Sequence, residues 1–243
     1  MIKFIIWIAR IIVAVAIALV FAACGGNPWG VKGSGKIVTQ TRTVNAAFTG
    51  IDAGTGIEVR VSENPSTEIT VTADDNLQEL IEVVVEGNVL KVRSTGSYDA
   101  EETPVVTVQV PEIEVLKASS GATLKSTSTI KGTKLTCDSS SGSTLRVDAE
   151  ADVIRLTSSS GSSLQVKGKA LESFADASSG SSLNAAELSS NKVTASGSSG
   201  STIRVAPLVE LNADASSGSS IVYVKVPEKI NTKTSSGGSV SSN

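Results

Sequence analysis

The chain has 243 residues, a formal net charge of -3 and no histidine; 40% of it is hydrophobic and 3% aromatic. Without histidine, a catalytic triad of the usual kind and a His-containing zinc site are excluded, and the weak, unclustered charge gives no footprint for nucleic acid. So few aromatic side chains predict a narrow interior of small and β-branched residues.

The first element reads as a targeting segment. Lys3 and Arg10 precede the uninterrupted apolar run Ile11 to Ala23, which is shorter than the roughly 17–25 residues of a membrane span. A short apolar run ending in small residues predicts a signal peptide over residues 1–23. Phe21-Ala22-Ala23-Cys24 resembles the lipobox of bacterial lipoproteins, with Phe21 where that motif usually carries leucine. The resemblance implies cleavage before Cys24, lipidation of Cys24 and attachment to membrane lipid, with an uncleaved anchor as the alternative. Gly25 in place of Asp after the cysteine favours the outer membrane or cell surface. Cys137 is then left without an intramolecular disulfide partner.

Residues 24–36, rich in glycine, predict a flexible tether. Residues 37–111 predict N-terminal strands that cap the rest of the chain at one end. Gly56 to Asn64 and Thr67 to Asp74 alternate with period two, Glu82 to Ser94 reads as two strands turned at Gly87-Asn88, and Pro104 to Pro111 reads as another. Asp74 to Glu82 could start a short helix capped by Asp75 or Asn76, with extended structure or a loop as the alternative.

From residue 112 to 243 a repeat takes over. Gly121, Gly142, Gly161, Gly180, Gly200, Gly218 and Gly237 are each preceded by two serines and followed three residues later by Leu124, Leu145, Leu164, Leu183, Ile203, Ile221 or Val240. The spacings of 18 to 21 residues, without a helical pattern in any unit, predict stacked coils of short strands: an all-β, single-stranded, right-handed parallel β-helix, continuous over 37–243. Alternation places the aliphatic ladder inside, together with Val147, Val166, Ala185, Val205 and Tyr223. Carried back across the glycine, it places Ser120, Ser141, Ser160, Ser179, Ser199, Ser217 and Ser236 inside as well. Leu116, Cys137, Leu156, Ala175, Ala195 and Ala213 are predicted on the same inner side, Cys137 as a small hydrophobe.

Phe48 to Glu63, Val71 to Val92, the serine–glycine repeats and Asp214 to Ser239, with Tyr223, Pro227 and Gly237-Gly238, resemble the head GIN domain. This adhesin-like family of autotransporter type is found on exported proteins of Bacteroidota-like bacteria. The resemblance implies a β-helix and carries no catalytic residues with it.

Asp138, Asp176 and Asp214 each stand four residues before a repeat glycine, in alternate units. Two rungs would separate them by about 9.6 Å, within reach of the ~6.5–9.5 Å carboxylate spacing of inverting glycosidases. Thr157 and Ser196 fill the rungs between, and a solubilising role is the plainer expectation. An outward row of Thr123, Thr144, Ser163, Ser182, Thr202, Ser220 and Ser239 reads as a solvated face, interrupted beside it by Lys125, Arg146, Gln165, Asn184 and Arg204. The expectation is a non-catalytic envelope protein without a cofactor or metal, binding a surface glycan or envelope protein and not nucleic acid. The alternatives are a structural spacer and a polysaccharide-cleaving β-helix.

Overall fold

The computed structural model describes residues 30–243; the expected signal peptide and Cys24 lie outside the described residues. In chain order the strands are β1 (Val31–Lys32), β2 (Ile37–Arg42), β3 (Gly50–Ala53), β4 (Glu58–Glu63) and β5 (Glu68–Asp74), then a 3-10 helix (Asp75–Leu80). Next come β6 (Ile81–Glu86), β7 (Val89–Ser94), β8 (Tyr98–Asp99), β9 (Val105–Val110), β10 (Val115–Ala118), β11 (Thr123–Ser126) and β12 (Ile130–Ser139). The long strands β13 (Thr144–Ser158), β14 (Ser163–Ala177), β15 (Ser182–Gly197) and β16 (Thr202–Ala215) come after these, and then β17 (Ser220–Tyr223), β18 (Lys229–Thr234) and β19 (Ser239–Ser242).

From β10 onward each strand pairs in parallel with its equivalent about one repeat later, so the chain winds into a β-solenoid. Each long strand supplies parts of two faces. Leu145, Leu164, Leu183, Ile203 and Ile221 stack in register on one face, and Leu116, Cys137, Leu156, Ala175, Ala195 and Ala213 on the other. Both ladders are buried and meet in one narrow core. Period-two alternation is what lets a coil bury one row and solvate the next.

The alternation breaks at the serine–glycine corner, which overturns one expectation. Ser120, Ser141, Ser160, Ser179, Ser199, Ser217 and Ser236 are exposed and take φ between 47° and 54°, and each following glycine is left-handed too. The amide two residues beyond each of these serines donates to the carbonyl just before it, as Ser162 N does to Ser159 O at 3.2 Å. Two successive positive φ values with that bond are the pattern of a type I′ turn, whose twist matches the flanking strands. Two left-handed residues swing the chain through the corner, so the inward serine is the one after the glycine: Ser143, Ser162, Ser181, Ser201 or Ser219. In the first four the hydroxyl bonds to the preceding coil, and Ser219 Oγ accepts from Ser216 N in its own corner at 3.1 Å. Ser143 Oγ donates to Ala118 O at 2.8 Å, Ser162 Oγ to Ser139 O at 2.7 Å and Ser181 Oγ to Ser158 O at 2.7 Å. The small polar rung is therefore inside and satisfied.

The N-terminal part does more than cap. Thr55 and Gly56 make the same left-handed pair, and Gly56 N donates to Ser120 O at 3.1 Å, as each repeat glycine does to the next corner serine. β3 and β4 form a coil beneath β10 and β11, placing Ile51 under Leu116 and Val59 under Leu124. β7 and β9 form one more below that, although they follow β3 and β4 in the chain. The antiparallel strands β6, β5 and β2 then close the two faces. Gly87-Asn88 turns β6 into β7 as expected.

The short helix over residues 75–80 is of 3-10 type, and no side chain caps it. Asp75 and Asn76 instead hold the segment read from sequence as the end of the tether: Ser34 Oγ donates to Asp75 Oδ1 at 2.6 Å and Ser34 N to Asn76 Oδ1 at 3.0 Å. Gly35 N donates to the buried Asp74 carboxylate at 2.6 Å, and β1 pairs with β8. Residues 31–36 are thus fastened to the cap.

Candidate binding surface

The two faces present straight outward columns, because parallel in-register pairing stacks equivalent side chains about 4.8 Å apart. On the face of the leucine ladder, Thr123, Thr144, Ser163, Ser182, Thr202, Ser220 and Ser239 form one column, as expected from their spacing. The next column runs Arg60, Lys125, Arg146, Gln165, Asn184 and Arg204. Glu58, one rung below Thr123 in the hydroxyl column, reaches across to accept from Arg60 Nε and Lys125 Nζ, each at 2.6 Å. Burial opposes ionisation of Glu58, but the bonds from Lys125 and Arg60 prevail and hold its carboxyl below the usual glutamate range.

On the opposite face a charged column runs Asp52, Lys117, Asp138, Thr157, Asp176, Ser196, Asp214 and Lys233. The three aspartates singled out in sequence do share this column on alternate rungs. Their surroundings differ. Lys117 Nζ lies 3.7 Å from Asp138, whereas Asp176 is exposed and its carboxyl is pushed up by partial desolvation, with Arg155 opposing the shift. Arg155 itself lies over the Phe174 ring, 4.2 Å from its centroid, so that ring face is occupied. Thr157 and Ser196 fill the rungs between the carboxylates, so no two of the three aspartates stand on adjacent rungs. Among the described residues no group of three or more Cys, Asp and Glu side chains is placed to hold a metal ion.

Cys137 is fully buried, and burial pushes its thiol well above the ordinary range. A thiol held protonated in the core is packing, not a nucleophile. One buried hydroxyl, Ser190 Oγ, finds no hydrogen-bond partner; it sits between Ala170 and Pro207 where the long strands bend. At the same bend Leu171, Leu208 and Val209 are exposed, an apolar edge that alternation did not announce because the bend shifts its phase.

A family model described as "Putative auto-transporter adhesin, head GIN domain" matches residues 47–227. The chain belongs to this family. A search of the curated proteins finds no match. Among solved structures, the head GIN fold here is similar to a "putative adhesin" from Bacteroides fragilis at 18% identity and TM-score 0.80, covering 88% of this chain and 100% of that one. It is similar to a "putative adhesin" from Parabacteroides merdae at 19% identity and TM-score 0.70, covering 88% and 98%. A "putative lipid binding protein" from Parabacteroides distasonis matches at 16% identity and TM-score 0.71, covering 88% and 99%. At these identities the solved structures establish the fold alone.

The sequence reading found the columns but missed two features. The Thr55-Gly56 corner was legible: Val59 stands three residues after Gly56, as Leu124 does after Gly121. A lateral cleft lined by Ser126, Thr127, Arg146, Gln165, Lys167 and Glu187 was not, since it depends on how the chain closes the coil between β11 and β12.

Proposed function

We propose that this head GIN protein is a non-catalytic, adhesin-like module that binds its ligand on the outer columns of a rigid β-solenoid. The observation that carries the reading is the register of those columns. Stacked rungs hold polar side chains in fixed rows, an arrangement suited to recognising an extended partner and lacking any convergent acid–base pair. Family membership supports the same reading. The coils are taken to wind right-handed, the hand that parallel crossovers adopt almost without exception.

The module is held at the cell envelope, on the outer membrane or cell surface, through a lipid on Cys24 after removal of residues 1–23. Support for this comes from the apolar run that ends at the lipobox-like Phe21 to Cys24. Its partner is a surface glycan or an envelope protein. Mass spectrometry of the protein extracted from native membranes tests the anchor: a lipidated Cys24 at the mature N-terminus is expected, and an unmodified Cys24 rejects it. Arrays of glycans and envelope proteins probed with the full-length protein in detergent, with polysaccharide turnover followed in parallel, test the function. Saturable binding without turnover is expected; silence in both favours a spacer, and turnover lost in Asp176→Asn favours an enzyme.

A further inference from the structure

Successive repeat glycines are 21 residues apart across the first repeat and 18 to 20 apart across the later ones. The longer unit shows in the structure. β11 stops at Ser126 and β12 starts at Ile130, whereas β13 to β16 run through the equivalent bend without a break. Ser126, Thr127 and Ser128 therefore stand beside the next coil and wall a cleft of about 380 Å³. The wall is pinned: Thr127 N donates to Val61 O at 2.8 Å, Thr127 Oγ1 to the same oxygen at 3.3 Å, and Asp148 N to Ser126 Oγ at 2.9 Å. A site built this way is pre-organised.

Four charged side chains line the cleft, and two of them satisfy each other, Lys167 Nζ lying 3.3 Å from Asp148. Arg146, Gln165 and Glu187 also line it, and none makes a side-chain hydrogen bond or ion pair. Every other arginine among the described residues has a partner: Arg42 in Gln40 and Gln78, Arg60 in Glu58, Arg93 in Glu82, Arg155 in Phe174 and Arg204 in Asn243. Arg146 and Glu187 lie two rungs apart, about 9.6 Å along the stack, with Gln165 and Lys167 on the rung between. Along the stack the cleft thus offers the Ser126 and Thr127 hydroxyls and then the Arg146 fork at one end, the Gln165 amide in the middle, and a carboxylate acceptor at the other.

We propose that this cleft is a ligand subsite for an acidic sugar, a hexuronate unit of a surface polysaccharide. Its carboxylate pairs with the Arg146 guanidinium, which matches carboxylate geometry with two parallel N–H donors. Its ring hydroxyls bond Gln165 and the wall hydroxyls of Ser126 and Thr127, and the far hydroxyl donates to Glu187. A plain anion would gain nothing from Glu187, and a polyol without the acid would leave Arg146 unused, so both halves of the ligand are specified. The inference rests on the surface-binding reading and names the ligand class for it.

The test uses the full-length protein in detergent, titrated by isothermal calorimetry with oligogalacturonate, with neutral oligogalactose of equal length and with acetate. Binding of the uronate alone is expected. Arg146→Ala should weaken it by about tenfold or more, Arg146→Lys should recover part of the loss, and Lys192→Ala on the opposite face should leave it unchanged. No uronate binding, or binding indifferent to Arg146→Ala, overturns the proposal. So does equal binding of acetate, which would make the cleft a simple carboxylate site. If arrays show saturable binding to other partners that survives Arg146→Ala, the adhesin-like reading stands and this one falls.

Discussion

Single serines do opposite things in this molecule according to their place in the turn. Ser160 is exposed at φ 54°, a left-handed conformation that disfavours any side chain other than Asn, Asp or Gly. Asn-Gly is the preferred pair for a type I′ turn, so Ser160→Asn should raise stability by a few tenths to about 1 kcal/mol. Thermal unfolding checks this, and a lower midpoint would show that the turn assignment is wrong. Two buried serines offer a paired comparison. Ser162 bonds the coil below through its hydroxyl, while Ser190 Oγ is buried without a partner. Ser162→Ala should lose about 1 kcal/mol, and Ser190→Ala should be neutral or gain up to about 1 kcal/mol, because a buried polar atom without a bond opposes folding. Denaturant midpoints of the two variants should move apart.

Elements are set by two local devices, the corner turn and the bend in the long strands. Gly168 lies at that bend in β14 with φ 120°, and a Cβ there would overlap the carbonyl of Ala149 in the coil below. Gly161, at a corner, has open space around the same position. Alanine should therefore cost about 1 kcal/mol at Gly161, from conformation alone, and about 3 kcal/mol or more at Gly168, where backbone must shift. Urea unfolding of both variants separates the two causes. Glu58 ties β4 to β11 through Lys125, and its carboxyl is held below the ordinary range. A lowered folded-state pKa stabilises above the unfolded value and is lost as pH falls through the folded one. The contact between these coils should weaken on acidification below the ordinary glutamate range. In Glu58→Gln that part of the pH dependence should be absent, as melting curves between neutral and acidic pH would reveal.

At the scale of the whole molecule, each coil touches mainly the coils above and below it, so stability is close to a chain of neighbour terms. Leu164 sits near the middle of the stack with no exposed surface. Leu164→Asp would place an unpaired carboxylate in the core between Leu145 and Leu183, which is expected to abolish the native stack at neutral pH. Far-ultraviolet circular dichroism and limited proteolysis should report lost strand structure; a native spectrum and resistance would mean the ladder is not the core. The two ends of the stack are managed differently. Antiparallel strands and the 3-10 helix close one end, whereas β18 meets solvent with Lys229 and Lys233, charges that discourage edge-to-edge pairing.

The repeat alone determined the solenoid and most of its inner ladders, because period two within a strand and a constant interval between strands leave little freedom for Leu124 through Ile221. It also determined which hydroxyls and charges share a column, including Asp138, Asp176 and Asp214. It failed at Ser120 and its equivalents, since alternation assumes extended backbone and two left-handed residues cancel it. It could not order the N-terminal coils either: β7 stacks under β3 although β4, β5 and β6 intervene, and pairing that is not sequential leaves no interval to read. The cleft beside Arg146 belongs to the tertiary structure alone. Three residues that look like slack in the sequence become a wall only when the coil below holds Thr127 and successive coils above bring Arg146, Gln165 and Glu187 alongside.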